Sequence, residues 1–260
     1  MRIALHAAGE VGRRAGRILL AEKDLIALGM YGHTGGTEDR RTMAIRSLTG
    51  FDPLITDAHD ARSFSLIAAE EGMSCVVAAE PRVDRRMARH FLDAGATLLV
   101  GAALGGGIAE TLAAHERART DRDRAVTIAW TTEGRPTRRG EAIPFPDPLG
   151  PRWGSLSGRS HRRRKTPGIP VTRLTAPVDG EWAGAIVRVS GERVGIPVEQ
   201  IVGVADHGDH LAAIALAAGA IAVAEGAYPP GIHRPAVASE AYLSAALRIG
   251  LGVASYTMTD

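Results

Sequence analysis

Cysteine, lysine, aromatic side chains, net charge and long apolar runs are all in short supply in this chain, and each shortage closes off a class of protein. Among 260 residues there is one cysteine, Cys75, so no internal disulfide and no cysteine-based metal cluster can form. Its neighbours from Met73 to Ala79 read as a buried strand, which predicts an inert core thiol. Aromatics are 4% of the residues, so the core must be built mainly from Ala, Leu, Ile and Val. No apolar run approaches the roughly 20 residues needed to cross a bilayer. Glu10, Arg13 and Arg14 interrupt the only early apolar run, so no signal peptide is read there. A cytoplasmic, reduced setting is the expectation. The formal net charge is +2, too small to call for a polyanionic partner. Of 31 basic residues only Lys23 and Lys165 are lysines. No H-E-x-x-H, G-x-S-x-G or P-loop pattern occurs, which leaves metalloprotease, hydrolase and ATPase readings without support.

What is present begins at the first residues, MRIALHAAGEVGRRAG. Arg2 to Ala7 have the alternation of a buried strand, and Val11, Ala15, Ile18 and Leu19 fall at helical spacing. Between them lies Ala7-Ala8-Gly9-Glu10-Val11-Gly12, a G-x-G-x-x-G turn with Ala7 at its first position. Strand, Gly-rich turn and helix together open a dinucleotide-binding unit. Gly9 would let a diphosphate approach the backbone and Gly12 would let the helix pack on the strand. The amides of Ala8 to Gly12 and the helix dipole would receive the phosphates. A tight turn of some other α/β protein is the alternative.

Strands and helices then alternate. Asp24 to Tyr31 reads as a second strand, 42–72 as a helix-like piece, a turn at Phe51-Asp52-Pro53 and a helix at Ala61 to Glu71. Met73 to Ala79 is a strand, Val83 to Ala94 a helix with Met87, Phe91 and Leu92 on one face, and Ala96 to Val100 a strand before a helix at Ile108 to His115. This pattern predicts a Rossmann-type, doubly wound parallel sheet, with ligands at the carboxyl ends of its strands. The turns after Ala7, Tyr31, Ala79 and Val100 would face one crevice, with Ala79 and Gly101-Ala102-Ala103 beside a nicotinamide. The second strand ends at Tyr31-Gly32-His33 without a carboxylate, and Arg40 and Arg41 follow. That favours a 2′-phosphate, hence NADPH over NADH, with His33 and Arg40 near the ribose; a solvated loop edge is the alternative.

The composition turns charged at 116–124, and a long region from Thr131 to Pro170 is rich in Pro, Gly and Arg. So many prolines argue against a long regular element there. Strand-like runs at Val171 to Ala176, Ala185 to Val189 and Val198 to Val204 are separated only by turns, which predicts a mixed or antiparallel sheet. A buried helix follows at His210 to Glu225, a last helix at Ala238 to Ile249 and a tail strand at Val253 to Tyr256. The expected division is a dinucleotide-binding domain over 1–125, a smaller α+β substrate and oligomerisation domain over 126–209, and helices over 210–260 that return to the first domain. Free edges of the second sheet would pair between subunits in a homodimer or homotetramer.

The densest chemistry is Ser160-His161-Arg162-Arg163-Arg164-Lys165-Thr166-Pro167-Gly168. An imidazole titrates near 6.5, which suits His161 as a proton donor, and Lys165 would be a second donor or steady a developing negative charge. Arg162 and Arg163 would hold substrate carboxylates, with Thr166 and the amide of Gly168 as further donors. A solvated basic loop is the competing reading; a nucleic-acid patch is disfavoured by the low net charge and the lack of interleaved aromatics. Asp206-His207-Gly208-Asp209-His210 reads as a helix cap by Asp206 or Asp209 rather than a metal site.

The spacing His161-x-x-x-Lys165 resembles the E-x-H-H-x-x-K-x-D-x-P-S-G-T-A signature of the dihydrodipicolinate reductases, with Arg162 in place of the second His and Pro167-Gly168-Ile169-Pro170 in place of P-S-G-T. The opening AAGEVGRRAGRI, Gly101-Ala102-Ala103, the stretch Asp206 to Glu225 and the tail Tyr256 to Asp260 are also similar to that family. Gly134 to Gly150 and Glu181 to Val189 look more like saccharopine reductase-like oxidoreductases. The resemblance implies a two-domain NAD(P)H enzyme in which His161 and Lys165 are proton donors and the Thr166–Gly168 stretch meets a substrate carboxylate. Hydride would go to a C=N or C=C bond of a small carboxylated molecule. The rivals are an amino-acid or hydroxy-acid dehydrogenase of the same fold, and a non-catalytic dinucleotide-sensing or scaffold protein.

Overall fold

The computed structural model describes residues 1–32, 39–133, 140–161, 169–178 and 180–259. Within them the chain builds two sheets. The first holds β1 (Arg2–His6), β2 (Ala27–Tyr31), β3 (Thr42–Ile45), β4 (Leu54–Thr56), β5 (Cys75–Val77), β6 (Thr97–Val100) and β13 (Gly231–His233). Its order is β13-β6-β5-β4-β1-β2-β3, and every pairing is parallel. This is the expected doubly wound sheet. The strand order reverses between β1 and β4, so the crevice that such sheets offer to ligands opens between the turns after these two strands. Helices α1 (Glu10–Leu20), α2 (Ala61–Glu70), α3 (Arg85–Asp93) and α4 (Glu110–Ala118) make the connections.

The second sheet holds β7 (Arg122–Thr132), β8 (Glu141–Pro144), β9 (Pro151–His161), β10 (Pro170–Pro177), β11 (Trp182–Arg193), β12 (Ile196–His207) and β14 (Ala254–Thr259). The order is β14-β12-β11-β7-β10-β9-β8, mixed because β10 runs parallel to β7 while its other pairings are antiparallel. Between the sheets lies α5 (Gly208–Ala224), buried from Leu211 to Val223 apart from Ala212. Its alanines let it approach closely: a Cβ on Gly219 would lie 2.9 Å from Val76 and 3.0 Å from Leu99 of the first sheet. On its other side, Val187, Val202 and Val204 of the second sheet join the same core. α6 (Ser239–Arg248), entered through a 3-10 turn at Pro235–Ala238, buries Tyr242 against this layer.

Three sequence expectations are corrected. Thr42–Ile45 is an edge strand rather than a helix-like piece; four residues are too few for a helix, and pairing with β2 decides. The proline-rich region carries β8 and the eleven-residue β9. Its prolines do not prevent this because Pro144, Pro151 and Pro170 stand at strand ends and Pro146 and Pro148 in the turn between β8 and β9. Leu92 is 58% exposed, since only Met87 and Phe91 share the inward stripe of α3. Cys75 is fully buried, and burial pushes its thiol up to about 12, as an inert core position requires. No helix among the described residues is long and apolar enough to cross a membrane.

Candidate active site at the sheet switch point

The corner after β1 is shaped by two glycines. A Cβ on Gly12 would lie 2.8 Å from the Ala7 Cα and 2.7 Å from Asp57 Oδ1, so only glycine lets α1 start this close to the strand. Gly9 is the N-cap of α1 and has no side chain with which to cap it. Asp57, from the turn after β4, supplies the missing acceptor. Its Oδ1 accepts the amide of Ala8 at 2.6 Å, and its Oδ2 accepts those of Gly9 at 2.9 Å and Gly12 at 2.7 Å. The Asp57 turn is itself fixed: the Thr56 hydroxyl accepts the Ala58 amide at 3.0 Å and lies 3.1 Å from Nδ1 of His6 at the end of β1. Three backbone donors therefore converge on one anion at the positive end of a helix. Glu10, in the first turn of α1, is held below the ordinary carboxylate range by hydrogen bonds from Arg17 and Arg13. Val11 is half-buried beside it.

The second Gly-rich turn follows β6. Gly101 has φ +71° and donates to the Ala79 carbonyl at 3.0 Å, tying the ends of β5 and β6 together. Ala102 is buried and Ala103 starts a π-helical turn, Leu104–Ala109. The glycines of this turn are spent on packing. A Cβ on Gly105 would meet the Trp130 ring at 3.3 Å, and one on Gly107 would meet the Tyr242 hydroxyl at 2.7 Å. Tyr242 donates to the Ala215 carbonyl at 2.7 Å, and its burial raises its pKa well above the ordinary value. Glu80 stands over Gly101 and pairs with Arg234 at 2.8 Å, which also reaches Glu110 at 3.1 Å.

A cleft of about 750 Å³ opens between α1, the π-helical turn and the second sheet. α1 contributes Arg14, the π-helical turn contributes Leu104, and the end of β7 contributes Thr131 and Thr132. Glu181 and His207 form the far wall: His207 Nδ1 lies 3.5 Å from Glu181 Oε2, and its ring stacks on Trp182 at 4.4 Å. Neither Asp206 nor Asp209 caps α5. Its N-cap is His207, the Gly208 amide already donates to the Glu181 carbonyl at 2.8 Å, and Asp206 Oδ1 instead accepts the His207 amide. Among the described residues no group of His, Cys, Asp and Glu is placed to hold a metal.

Arg162, Arg163, Lys165, Thr166 and Gly168 lie outside the described residues, as do His33, Gly134, Arg135 and Asp260. For His161 the strand position is given: it pairs with Pro170, while Val171 pairs with Val126 of β7 and Pro177 with Thr132. The cleft is at the Thr132 end, and at about 3.3 Å per residue the run from Val126 to Thr132 spans about 20 Å. Arg41 is engaged structurally: it pairs with Asp39 at 3.0 Å and donates to the Leu20 and Glu22 carbonyls at the end of α1. Arg40 is exposed. Asp57, Glu80, Glu181 and His207 took no part in the dinucleotide reading of the sequence. The turn after β4 was hidden because three residues, Leu54–Thr56, are too short a strand to announce themselves.

No protein-family model and no curated protein matches the sequence. Solved structures do match the fold. The amine dehydrogenase from Mycobacterium smegmatis is similar at 13% identity with a TM-score of 0.56, over 92% of this chain and 95% of that one. A probable dehydrogenase from Thermotoga maritima is similar at 11% identity and a TM-score of 0.53, over 94% of each chain. The UDP-N-acetylglucosamine 3-dehydrogenase from Acidithiobacillus ferrooxidans is similar at 13% identity and a TM-score of 0.50, over 95% and 96%. At such identities the likeness speaks for architecture: this chain has, along nearly its whole length, the two-sheet fold that these dehydrogenase structures share.

Proposed function

We propose that the chain is an NAD(P)-dependent oxidoreductase whose cofactor lies along the turns after β1, β5 and β6 and whose substrate enters the cleft beside them. The observation that carries this reading is the convergence of the Ala8, Gly9 and Gly12 amides on one anion at the switch point of a parallel sheet. The residues fit a diphosphate there: Gly12 has no room for a Cβ, and the bare face of Gly9 looks into the place the Asp57 carboxylate fills. When bound, a nicotinamide would supply hydride transfer. The chain's own part is to hold the diphosphate on these amides and on Arg14, and to shape the ring's berth with Ala79, Gly101 and Leu104. NADPH is the preferred form in this reading, on the exposed Arg40 and the absence of a carboxylate at Tyr31. The substrate is a small carboxylated molecule reduced at C=N or C=C, as in the dihydrodipicolinate reductases that the His161–Lys165 stretch resembles. The oligomer is a homodimer or homotetramer paired through the second sheet, whose edge strand β14 is exposed throughout.

Two proton donors are to be told apart. The sequence pattern favours His161 or Lys165, with Arg162, Arg163, Thr166 and Gly168 on the carboxylate. Position favours His207, because it lines the cleft and has the Glu181 carboxylate to orient it. Trp130 touches the π-helical turn, so energy transfer from tryptophan to a reduced nicotinamide reports binding directly. Saturable transfer with NADPH supports the reading. No transfer at millimolar NADPH or NADH, in the native chain and in Asp57→Ala alike, overturns it. In turnover, His161→Ala and His207→Gln then decide the donor: the variant that loses more than a hundredfold in kcat names it.

A further inference from the structure

The place a dinucleotide diphosphate needs is held by a side chain of the protein itself. We propose that Asp57 is an internal competitor for this corner: with its carboxylate on the Ala8, Gly9 and Gly12 amides the dinucleotide site is closed, and cofactor binds only as Asp57 leaves. The proposal rests on the oxidoreductase reading and adds to it a built-in control on cofactor affinity.

Four observations carry it. First, the donors that would serve a phosphate are spent: each of the three amides is 2.6–2.9 Å from an Asp57 oxygen. Second, the space is spent as well. A Cβ on Gly9 would lie 3.2 Å from Asp57 Oδ2, so the face that a glycine leaves bare for a phosphate is where this carboxylate stands. Third, the charge at the amides is already supplied: a diphosphate would bring its negative charge against the Asp57 carboxylate, the neighbouring Glu10 being paired with Arg13, Arg14 and Arg17. Fourth, Asp57 is half-buried and sits on the turn after β4, across the switch-point crevice from the helix it caps, rather than within α1 itself. Leaving the amides therefore requires a change in that turn alone and no unwinding of the helix. Arg14, on the same helix, pairs with Glu10 at 3.9 Å and lines the cleft.

A carboxylate in this place also caps α1, whose N-cap residue is Gly9. Capping and competition predict opposite signs for binding. If Asp57 only caps, its removal loosens the corner and weakens any anion there. If it competes, its removal frees three amides and strengthens binding of every ligand that carries a diphosphate.

The test is calorimetric titration of the native chain, Asp57→Ala and Asp57→Asn with NADPH, NADH, ADP, inorganic pyrophosphate and adenosine. The expectation is at least tenfold tighter binding of NADPH, NADH and ADP by Asp57→Ala and a smaller gain for Asp57→Asn. Pyrophosphate should bind measurably to Asp57→Ala alone, and the response to adenosine, which lacks the diphosphate, should not change. Should Asp57→Ala fail to fold, Asp57→Asn keeps the side chain's size and an acceptor while removing its charge, and the same comparison is read from it. Equal dinucleotide affinity in native and variant chains overturns the competition and leaves the cofactor reading standing. Weaker binding by both variants assigns Asp57 to capping and also overturns it. No binding by any of the three overturns both.

Discussion

Two glycine-rich turns stand at the carboxyl edge of the parallel sheet, with two strands between them, and they use their bare backbones in different ways. After β1, the space beside Gly9 and Gly12 is taken by a charged group on a neighbouring turn, Asp57. After β6, the space beside Gly105 and Gly107 is taken by the ring of Trp130 and the hydroxyl of Tyr242, both anchored in regular elements. Charge held by hydrogen bonds can be exchanged for another anion; the fully buried Tyr242 and the partly buried Trp130 packed on the turn cannot be exchanged for a ligand. In the proposed reading the first turn is a receptor and the second a wall, although on paper both are runs of Gly and Ala.

The contrast is broken most severely at the wall. Tyr242→Ala removes a fully buried aromatic side chain and should lower stability by about 4 kcal/mol, read by denaturant unfolding, without changing where Asp57 sits. A loss below about 1 kcal/mol would mean that the turn after β6 is loose. Next, Gly12→Val sets a branched side chain against the Ala7 Cα and the Asp57 carboxylate and should cost about 3 kcal/mol. Combining Gly12→Ala with Asp57→Ala sharpens this. The pair should be less destabilising than the sum of its parts, because removing the carboxylate removes one of the two clashes. Strict additivity would mean that the backbone contact with Ala7 accounts for the whole penalty.

Between the two turns lies β5, whose Cys75 provides a pH handle. Burial raises its thiol from 9.0 to about 12, so the folded chain keeps a proton that the unfolded chain releases from about pH 9 upward. Stability should fall by roughly 1.4 kcal/mol per pH unit between those values, and Cys75→Ala should flatten that limb of the curve. An unchanged alkaline slope in the variant would refute the assignment. The smallest effect is expected at the exposed ion pairs beside the wall. Arg234→Gln breaks contacts to Glu80 and Glu110 that are partly solvated and should cost less than about 1 kcal/mol.

Much of this architecture could be read from residues alone because it rests on local patterns. Alternation in Arg2–His6, the spacing of Val11 to Leu19 and the repeated strand–helix rhythm each follow from burial on one face, and they led to the doubly wound sheet. The proline-rich stretch misled because proline acts through position. At strand ends and in the β8–β9 turn it removes no ladder bond, and nothing in the local sequence says which role it has. The site was half legible. Gly9 and Gly12 announce a bare corner, but what fills it comes from a turn 45 residues on, brought there by the pairing of β4 with β1. The same holds for His207, which the sequence put beside a helix start and the fold brings against Glu181 and Trp182, in a cleft that the end of β7 also lines. His161 was the more conspicuous residue because it belongs to a dense basic run, and conspicuousness carries no information about which end of a sheet a residue reaches.

The central claim is that the Ala8–Gly12 corner is an anion receptor which Asp57 fills until a diphosphate replaces it. Backbone amide resonances of Ala8, Gly9 and Gly12 test it most directly. Charged hydrogen bonds to Asp57 should hold all three downfield in the native chain. They should move upfield in Asp57→Ala and return downfield when NADPH or pyrophosphate is added to that variant. Resonances that stay where they are through both steps would contradict the account.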